Sequence, residues 1–328
     1  MQVIETMDEY FRFLGADRSY SIDDYQCELC GGEDFEVVRN FIDGGGNVLV
    51  PIKVKSCRNC GYMMQHPKFE RDYYKDFYRL YYNLARARSG RQDQVKFVDE
   101  KGGSTNLYLE NAEKRGRLLK NYMRSRLPED GVLLDVGCGC GGFLVPFRQD
   151  GWQVHGNDPD SAHIDWGNKH WGLGLVNVEA EEMEYEPETF DLIIIMGSLE
   201  HVYDPNIVLN KCWRFLKENG QIVIEGRFFP IGPSYRYLNA NHHRYLREQS
   251  CQLMLIKHGF LPYEVTTHTV TGSDTGRDGD GFVFARKTTD NKQEILRDAL
   301  ANKSLVETPN EVRYKLELHD FLLAQTQL

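Results

Sequence analysis

Residues 131–147 read GVLLDVGCGCGGFLVPF, and this stretch decides the fold. Its first half is a short apolar run of the kind that forms a strand buried on both faces. Asp135 lies near the end of that run, and glycines follow at positions 137, 139, 141 and 142. The apolar residues from Phe143 to Phe147 then predict a helix. Because glycines leave the backbone bare and a helix begins with free N–H groups, the turn between them predicts a ligand site.

Residues 131–287 repeat this alternation of apolar runs and amphipathic stretches, which is typical of βαβ units around a parallel sheet. A helix is predicted after Asp204, a suitable N-cap that is followed by Pro205 and leads to an end before Gly220. A second helix is predicted over 246–258. Seven strands are predicted, at 132–136, 152–155, 173–176, 191–195, 221–225, 262–266 and 281–285. The predicted fold class is α/β, a seven-stranded, mostly parallel sheet with helices on both faces.

Two C-x2-C pairs lie near the beginning of the chain, Cys27 with Cys30 and Cys57 with Cys60. Each pair places two sulfurs on one tight turn, and four thiolates complete a closed tetrahedral zinc site. Gly31 follows the first pair and Gly61 the second, where glycine lets the backbone turn. The alternative is four unrelated core cysteines. The pattern predicts an N-terminal zinc ribbon, whose metal contributes folding energy that so small a core cannot supply.

Four regions follow from these patterns. They are a zinc-ribbon region at 1–66, a helical linker or lid at 67–130, a ligand-binding domain at 131–287 and a C-terminal helical tail at 288–328. Six aromatic residues mark the linker, and at helical spacing they are more often packing residues than a sugar-stacking platform. They are Tyr73, Tyr74, Phe77, Tyr78, Tyr81 and Tyr82.

Composition limits the partners and the location. The chain has 328 residues and a formal net charge of -10, which disfavours nucleic acid as a partner. Its one basic run is Arg86 to Arg91. No apolar segment has the length of a membrane helix, and the first residues lack the features of a secretory signal. A cytoplasmic location, with no membrane partner and with cysteines as thiols or metal ligands, is the expectation. The oligomeric state is not indicated.

The glycine turn admits two cofactor classes. Gly137, Gly139 and Gly142 satisfy G-x-G-x-x-G, the pattern of NAD-type dinucleotide sites. Asp158, about 20 positions further on, is placed to accept both ribose hydroxyls of a nucleoside in either class. On these residues alone, a dinucleotide oxidoreductase stays open.

The same region resembles the signature of class I S-adenosylmethionine-dependent methyltransferases, in which an acid ends the first strand before G-x-G-x-G. Asp135, Gly137, Gly139 and Gly141 match that signature. The similarity continues at Asp158, at Glu179 and Ala180, and at Phe190–Ile194 followed by Leu199–Val202. The resemblance implies a Rossmann-like domain that binds S-adenosylmethionine. Asp135 and the glycines would hold its methionine part, Asp158 its ribose, and Glu179 with Ala180 its adenine.

A four-cysteine ribbon followed by Pro67 and an aromatic helix is similar to methyltransferases of glycan and secondary-metabolite pathways. The resemblance implies a small-molecule acceptor, such as a sugar, a nucleotide-sugar or a related metabolite. Sugar C-methyltransferases share the ribbon but have a further C-terminal domain.

Candidate catalytic residues follow two predicted strands. His201 is the first choice for a proton acceptor, because ligands bind at the carboxyl ends of parallel strands. Glu200 is placed to orient it or to bind the acceptor; both residues are alternatively a turn cap. His242 and His243, in the segment NANHHRY, are further candidates for a base or acceptor contact, or else loop histidines. Arg227 and Arg236 are candidates for holding an anionic group.

Three other functions remain alternatives at this level. One is the dinucleotide oxidoreductase. Another is a non-catalytic methyltransferase-like scaffold, with the zinc ribbon as a docking module. A third is methylation of protein or RNA, of which the acidic balance disfavours RNA.

Overall fold

The computed structural model describes residues 2–20, 22–23, 25–45, 48–77, 106–226, 228, 238–266, 270–272, 281–302 and 304–326. The chain divides into two compact units. The cysteine unit comprises Met1–Lys96, Phe229–Ser250 and Leu300–Leu328, and the sheet unit comprises Phe97–Phe228 and Cys251–Ala299. Both are discontinuous in sequence, whereas the four regions predicted above are continuous ranges; those ranges stay a prediction.

A seven-stranded sheet forms the centre of the sheet unit. Its order is β11-β10-β9-β12-β13-β16-β15, with β16 antiparallel to both of its neighbours and the other pairings parallel. The predicted α/β class with a mostly parallel seven-stranded sheet is thus confirmed. The strands are β9 (Val132–Val136), β10 (Gln153–Asp158), β11 (Val176–Asn177), β12 (Phe190–Met196), β13 (Leu216–Gly226), β15 (Phe260–Thr266) and β16 (Gly281–Lys287).

Six helices of the described residues and two 3-10 turns lie wholly or mostly in the sheet unit. The helices are α3 (Asn106–Met123), α4 (Val145–Gln149), α5 (Ser161–Trp171), α6 (Pro205–Phe215) and α8 (Lys292–Ala301), with α7 (Glu248–Lys257) in the unit from Cys251 onward; the 3-10 turns are Arg124–Arg126 and Gly142–Leu144. The predicted cap is present, because the Asp204 side chain accepts from the N–H of Asn206 at 2.8 Å. Leu119 and Met123 of α3 pack in one buried cluster with Leu133 and Ile194.

Several predicted bounds differ from the observed ones, as two examples show. The predicted strand 173–176 is reduced to Val176–Asn177, because Gly172 and Gly174 have φ values of +62° and +70°, which interrupt an extended chain. Helix α6 ends at Phe215 rather than just before Gly220, and the chain passes directly into β13 at Leu216.

Among the described residues, the cysteine unit contains three small sheets, the first two helices and the last helix. The sheets are β1-β5-β4, β14-β7-β6-β3 and β2-β8. Their strands are β1 (Gln2–Val3), β2 (Ile22–Asp23), β3 (Phe35–Arg39), β4 (Ile42–Gly45), β5 (Val48–Val50), β6 (Lys53–Cys57), β7 (Met63–His66), β8 (Lys68–Phe69) and β14 (Arg244–Tyr245); the helices are α1 (Met7–Leu14), α2 (Arg71–Asp76) and α9 (Pro309–Thr326). In the described part of the chain, no helix combines the length and the apolar character needed to cross a bilayer.

Candidate S-adenosylmethionine and metal sites

The glycine turn lies at the point in the sheet where the strand order reverses. From β9 the chain continues through β10 and β11 on one side, and then returns to β12 on the other side of β9. Ligands of open α/β sheets bind at the carboxyl ends of strands at such a switch point. Asp135 near the end of β9 and the turn after Met196 of β12 both lie at this edge.

Three alternating glycines shape the turn. Gly137, Gly139 and Gly141 have φ values of +75°, +55° and +79°, which ordinary L-residues avoid. A Cβ on Gly137 would lie 2.6 Å from Cβ of Ser198, so bare backbone is required there. The helix expected beyond the glycines is short: Gly142–Leu144 is a 3-10 turn and α4 has five residues, with Pro146 in its first turn. The backbone itself, rather than a long helix dipole, therefore forms the cradle.

Asp158 at the end of β10 is tied to this turn. Its Oδ2 accepts from the N–H of Gly139 and its Oδ1 from the N–H of Asp160, both at 2.9 Å. The N–H groups of Gly137 and Cys138 donate to the carbonyl of Asn157, also at 2.9 Å. Burial raises the pKa of Asp158, although the hydrogen bonds from the N–H groups of Asp160 and Gly139 oppose the shift. A carboxylate has about four acceptor positions, so capacity remains for a ligand hydroxyl.

The predicted adenine segment lies beside the same strand end. Asn157 donates to the carbonyl of Val178 at 3.2 Å, and Asn177 donates to that of Asp158 at 2.9 Å. These bonds place Glu179, which is half-buried, and Ala180, which is buried, directly after residues that contact the end of β10. The structure thus brings together the glycine turn, Asp158 and the Glu179–Ala180 segment.

Asp135 lies buried beneath the glycine turn, with 1% of its surface exposed. Its Oδ1 has no hydrogen-bond partner among the described residues. Burial, the charge of Asp158 and the charge of Glu225 raise its pKa to about 8, against the opposing charge of Arg115. A buried acid of this kind fits a positively charged ligand group.

Arg115 and Glu225 are site residues that the sequence analysis missed. Arg115 of α3 forms a buried ion pair with Glu225 near the end of β13, and its Nε donates to Thr271 Oγ1 at 3.3 Å. The Arg115 guanidinium also lies 4.7 Å from the centre of the Phe143 ring. An acid at the carboxyl end of a predicted strand was the available signal for Glu225. No local pattern marks Arg115, because its role depends on how α3 packs against the sheet.

Glu200 and His201 lie in the turn that follows β12. The Ser198 hydroxyl donates to the carbonyl of Val136 at 2.7 Å, and the N–H of His201 donates to the Ser198 carbonyl at 3.0 Å. Ser198 therefore fixes this turn against the end of β9 beside Gly137. Glu200 is 5% exposed. The pKa of the Cys251 thiol is raised by the burial of Cys251 and by the negative charge of Glu200.

His242 and His243 lie in the cysteine unit and are both buried, at 6% and 4% exposure. The N–H of His242 donates to the Asn239 carbonyl at 3.2 Å, and the His243 carbonyl accepts from the N–H of Gln65 at 3.0 Å. The ring of His243 lies against that of Tyr74, with centres 3.6 Å apart. The alternative of loop histidines at the surface does not fit this burial.

Four thiols meet in the cysteine unit. Sγ of Cys27 is 3.5 Å from Sγ of Cys60, Sγ of Cys30 is 3.6 Å from Sγ of Cys57, and all four lie within 4.8 Å of one another. Bonds of about 2.3 Å to a tetrahedral zinc ion imply sulfurs roughly 3.8 Å apart. Gly31 and Gly61, with φ of +73° and +70°, close the two turns. The residues therefore fit a tetrahedral metal ion.

The remaining sequence candidates have separate outcomes. Tyr73, Tyr74 and Phe77 are buried in the aromatic core of the cysteine unit, as packing residues are. Arg227, Arg236, the run Arg86 to Arg91, and Tyr78, Tyr81 and Tyr82 lie outside the described residues.

Comparison with known proteins agrees with this fold. Residues 134–224 match the family model of a methyltransferase domain. The ubiquinone biosynthesis O-methyltransferase of Bradyrhizobium sp. (strain ORS 278) is 35% identical over 97 residues, which are 28% of this chain and 38% of that protein. The enzyme of the same name from Pseudomonas fluorescens (strain Pf0-1) is 36% identical over 96 residues, 27% of this chain and 41% of that protein. The match thus spans about two fifths of these relatives.

Solved structures with a similar chain course include two methyltransferases. The S-adenosylmethionine-dependent methyltransferase from Mesorhizobium loti has a TM-score of 0.44 and 17% identity, covering 53% of this chain and all of that one. The 1,6-didemethyltoxoflavin-N1-methyltransferase from Burkholderia thailandensis has a TM-score of 0.48 and 18% identity, covering 69% of this chain and 96% of that one. The sequence match over residues 134–224 is to a methyltransferase domain.

Proposed function

We propose that this protein transfers the methyl group of S-adenosylmethionine to a small-molecule acceptor. The observation that carries the proposal is the buried Asp135 carboxyl beneath a bare glycine turn, with Oδ1 unpartnered among the described residues. S-adenosylmethionine brings a sulfonium and an ammonium group to such a place. A dinucleotide would instead bring a pyrophosphate, whose negative charge gains nothing from a buried carboxyl.

Binding separates the two cofactor classes. We expect S-adenosylmethionine and S-adenosylhomocysteine to bind the purified chain in calorimetry, and NAD and NADH to show no heat of binding. Tight binding of NADH with none of S-adenosylmethionine would overturn the proposal in favour of an oxidoreductase. A chain that binds S-adenosylmethionine but transfers no methyl group to any acceptor class would instead be a scaffold.

The cofactor contacts follow the predicted assignment. Asp135 with Gly137, Gly139 and Gly141 holds the methionine part, Asp158 holds the ribose hydroxyls, and Glu179 with Ala180 contacts the adenine. The hydrogen bonds that join these segments support the assignment. When bound, the cofactor supplies an activated methyl group, so the protein's task is to align an acceptor atom with it.

His201 is the proposed proton acceptor for a hydroxyl acceptor, with Glu200 beside it in the same turn. Its support is the position of the turn, which Ser198 fixes beside Gly137. We expect His201→Gln to leave the affinity for S-adenosylhomocysteine within about twofold and to slow transfer roughly 100-fold, the usual size of a lost general base. Unchanged transfer would remove His201 from the mechanism. His242 and His243 remain proposed acceptor contacts.

The most specific part of the proposal is the chemical class of the methyl acceptor. The resemblance to glycan-pathway enzymes points to a sugar or nucleotide-sugar, and the relatives' name, O-methyltransferase, supports an oxygen acceptor. A panel of nucleotide-sugars, free sugars and phenols, assayed with radiolabelled S-adenosylmethionine, tests it. Transfer only to phenols would exclude the sugar class and leave methyl transfer intact.

Zinc is the proposed occupant of the four-cysteine cluster, as a structural ion with no open position. The sulfur separations given above support it, and all four thiols are free of disulfides. Elemental analysis is expected to give about one zinc per chain, as one tetrahedral four-thiolate site requires. Cys57→Ser should lose that zinc, whereas Cys212→Ser, at a buried cysteine outside the cluster, should retain it.

A further inference from the structure

Two buried arginines of one short segment each contact one of the cysteine turns. The segment is 239–247, and it contains the proposed acceptor contacts His242 and His243. Arg244 reaches Glu28 inside the turn Cys27–Cys30, and Arg247 reaches Gly61, which directly follows the turn Cys57–Cys60. The exposed fraction of the surface is 0% for Arg244 and 1% for Arg247. All these residues belong to the cysteine unit.

The first contact is a two-bond ion pair inside the turn itself. Glu28 lies between Cys27 and Cys30, and its carboxylate accepts from Arg244 Nε at 2.7 Å and from Arg244 Nη2 at 3.0 Å. Tyr62 also donates to this carboxylate, at 3.1 Å. Removing either partner breaks a buried two-bond ion pair, which proteins tolerate poorly.

The second contact is made to the backbone. Arg247 donates to the carbonyl of Gly61 at 3.0 Å and forms an ion pair with Glu307. A Cβ on Gly61 would lie 2.2 Å from the Glu307 carbonyl oxygen, so the chain at Glu307 closes directly over this turn. The position of Arg247 therefore depends on the path that the second cysteine turn takes.

The backbone of segment 239–247 also pairs with β7, the strand that follows the second cysteine turn. Arg244 and Tyr245 form β14, which pairs with Met64 and Met63 of β7, and β7 begins three residues after Cys60. The next donor, the N–H of Gln65, bonds to the His243 carbonyl. The histidine pair thus directly precedes the residues that are fixed to the cysteine turns.

We propose that the four-cysteine metal site sets the position of residues 239–247, with Arg244 and Arg247 as the positioning residues that couple one cysteine turn each to the histidine pair. The proposal rests on the proposed zinc site. It gives the metal a role beyond the stability of the small sheets: loss of the ion releases both turns, and with them the two anchors of the segment.

Hydrogen exchange of the full-length chain, read by mass spectrometry, tests this coupling. Zinc content is measured on the same samples. We expect chelation of zinc from the wild-type protein to accelerate exchange over 239–247 roughly tenfold or more, since an anchored segment becomes a locally open one. Peptides of the sheet unit over 190–196 should keep their protection and so report that the protein remains folded.

The variant Glu28→Gln separates the anchor from the ligands, because it leaves all four cysteines in place. We expect it to retain zinc and yet to show the accelerated exchange over 239–247. Arg244→Lys keeps the charge but not the paired N–H donors, so it should give an intermediate rate. Asp76→Asn is the matched control: Asp76 also accepts from an arginine and a tyrosine, Arg18 at 3.3 Å and Tyr20 at 3.0 Å. It should leave exchange over 239–247 unchanged.

Selective ¹⁵N-histidine spectra give a second local readout. The ring signals of His242 and His243 should shift in Glu28→Gln and stay in place in Asp76→Asn. A chain that binds no zinc would contradict the metal site itself. Bound zinc whose removal leaves exchange over 239–247 unchanged would overturn only the coupling.

Discussion

Asp158 accepts a hydrogen bond through Oδ2 from the backbone N–H of Gly139, at 2.9 Å. The bond joins the end of β10 to the middle of the glycine turn after β9. The same carboxylate that is proposed to hold the ribose therefore also holds the cradle in shape. The proposed ribose contact and the shape of the glycine turn therefore both depend on Asp158.

Replacement of Asp158 by Asn tests this role. The amide keeps one acceptor oxygen, so one backbone bond and the negative charge are lost. We expect the affinity for S-adenosylhomocysteine to fall about 10- to 100-fold, the equivalent of about 1.5–3 kcal/mol for hydrogen bonds to a charged group. Calorimetry measures it. Asp160→Ala is the control, because the Asp160 side chain caps α5 through Ala162 and His163; it should cost about 1 kcal/mol of stability and leave affinity within twofold.

The raised pKa of Asp135 predicts a pH dependence of stability in the ligand-free protein. An acid whose pKa rises from 3.8 to about 8 on folding contributes stability while it is protonated, and that contribution is lost as the pH rises toward and through 8. Between pH 6 and 9, the melting temperature of the wild-type protein should therefore fall more steeply than that of Asp135→Asn. Parallel pH curves of the two proteins would contradict the shift.

The same carboxyl predicts a proton release on binding. A cationic ligand favours the ionised form of Asp135, so S-adenosylmethionine should displace up to about one proton at pH 7. Calorimetry in buffers with different heats of ionisation measures the number. Asp135→Asn should bind more weakly and without that release; an equal release from the variant would assign the proton to another group.

Gly137 provides a test of the bare backbone. In Gly137→Ala, the positive φ strains the chain and the new Cβ meets Ser198, which its hydrogen bond to Val136 holds in place. Gly151→Ala has a similar φ of +91° with nothing within 4 Å of the added Cβ. Both variants should lose about 1–2 kcal/mol from φ strain. Only Gly137→Ala should also lose most of its affinity for S-adenosylhomocysteine; equal affinities would show that the turn has room for a side chain.

The buried pair of Arg115 and Glu225 predicts non-additive stability. Glu225→Gln leaves the guanidinium without its partner and should cost about 3–5 kcal/mol in urea unfolding. Arg115→Met combined with Glu225→Gln removes both charges, and we expect it to recover a large part of that loss. A double variant no more stable than the sum of the two single changes would show that the pair acts independently.

The sequence by itself determined the features that are local in the chain. These features are the strands, the Asp204 cap, the glycine turn and the two cysteine turns. Each depends on neighbouring residues, so the sequence shows directly the spacing of apolar residues, the glycines that allow a positive φ and the spacing of the cysteines. The parallel connections in turn bring Asp135, Asp158 and the turn at His201 to one edge of the sheet. Boundaries were less exact, as at 173–176, where glycine conformations shorten the strand.

Only the tertiary structure decided which distant charges meet. Arg115 and Glu225 are 110 positions apart, and Glu28 and Arg244 are 216 apart. No local pattern encodes such pairs, because each forms only after a helix or strand has packed against the element that holds its partner. The division into two discontinuous units arises in the same way: segments from the beginning, middle and end of the chain bury their apolar side chains together, and burial does not depend on sequence order.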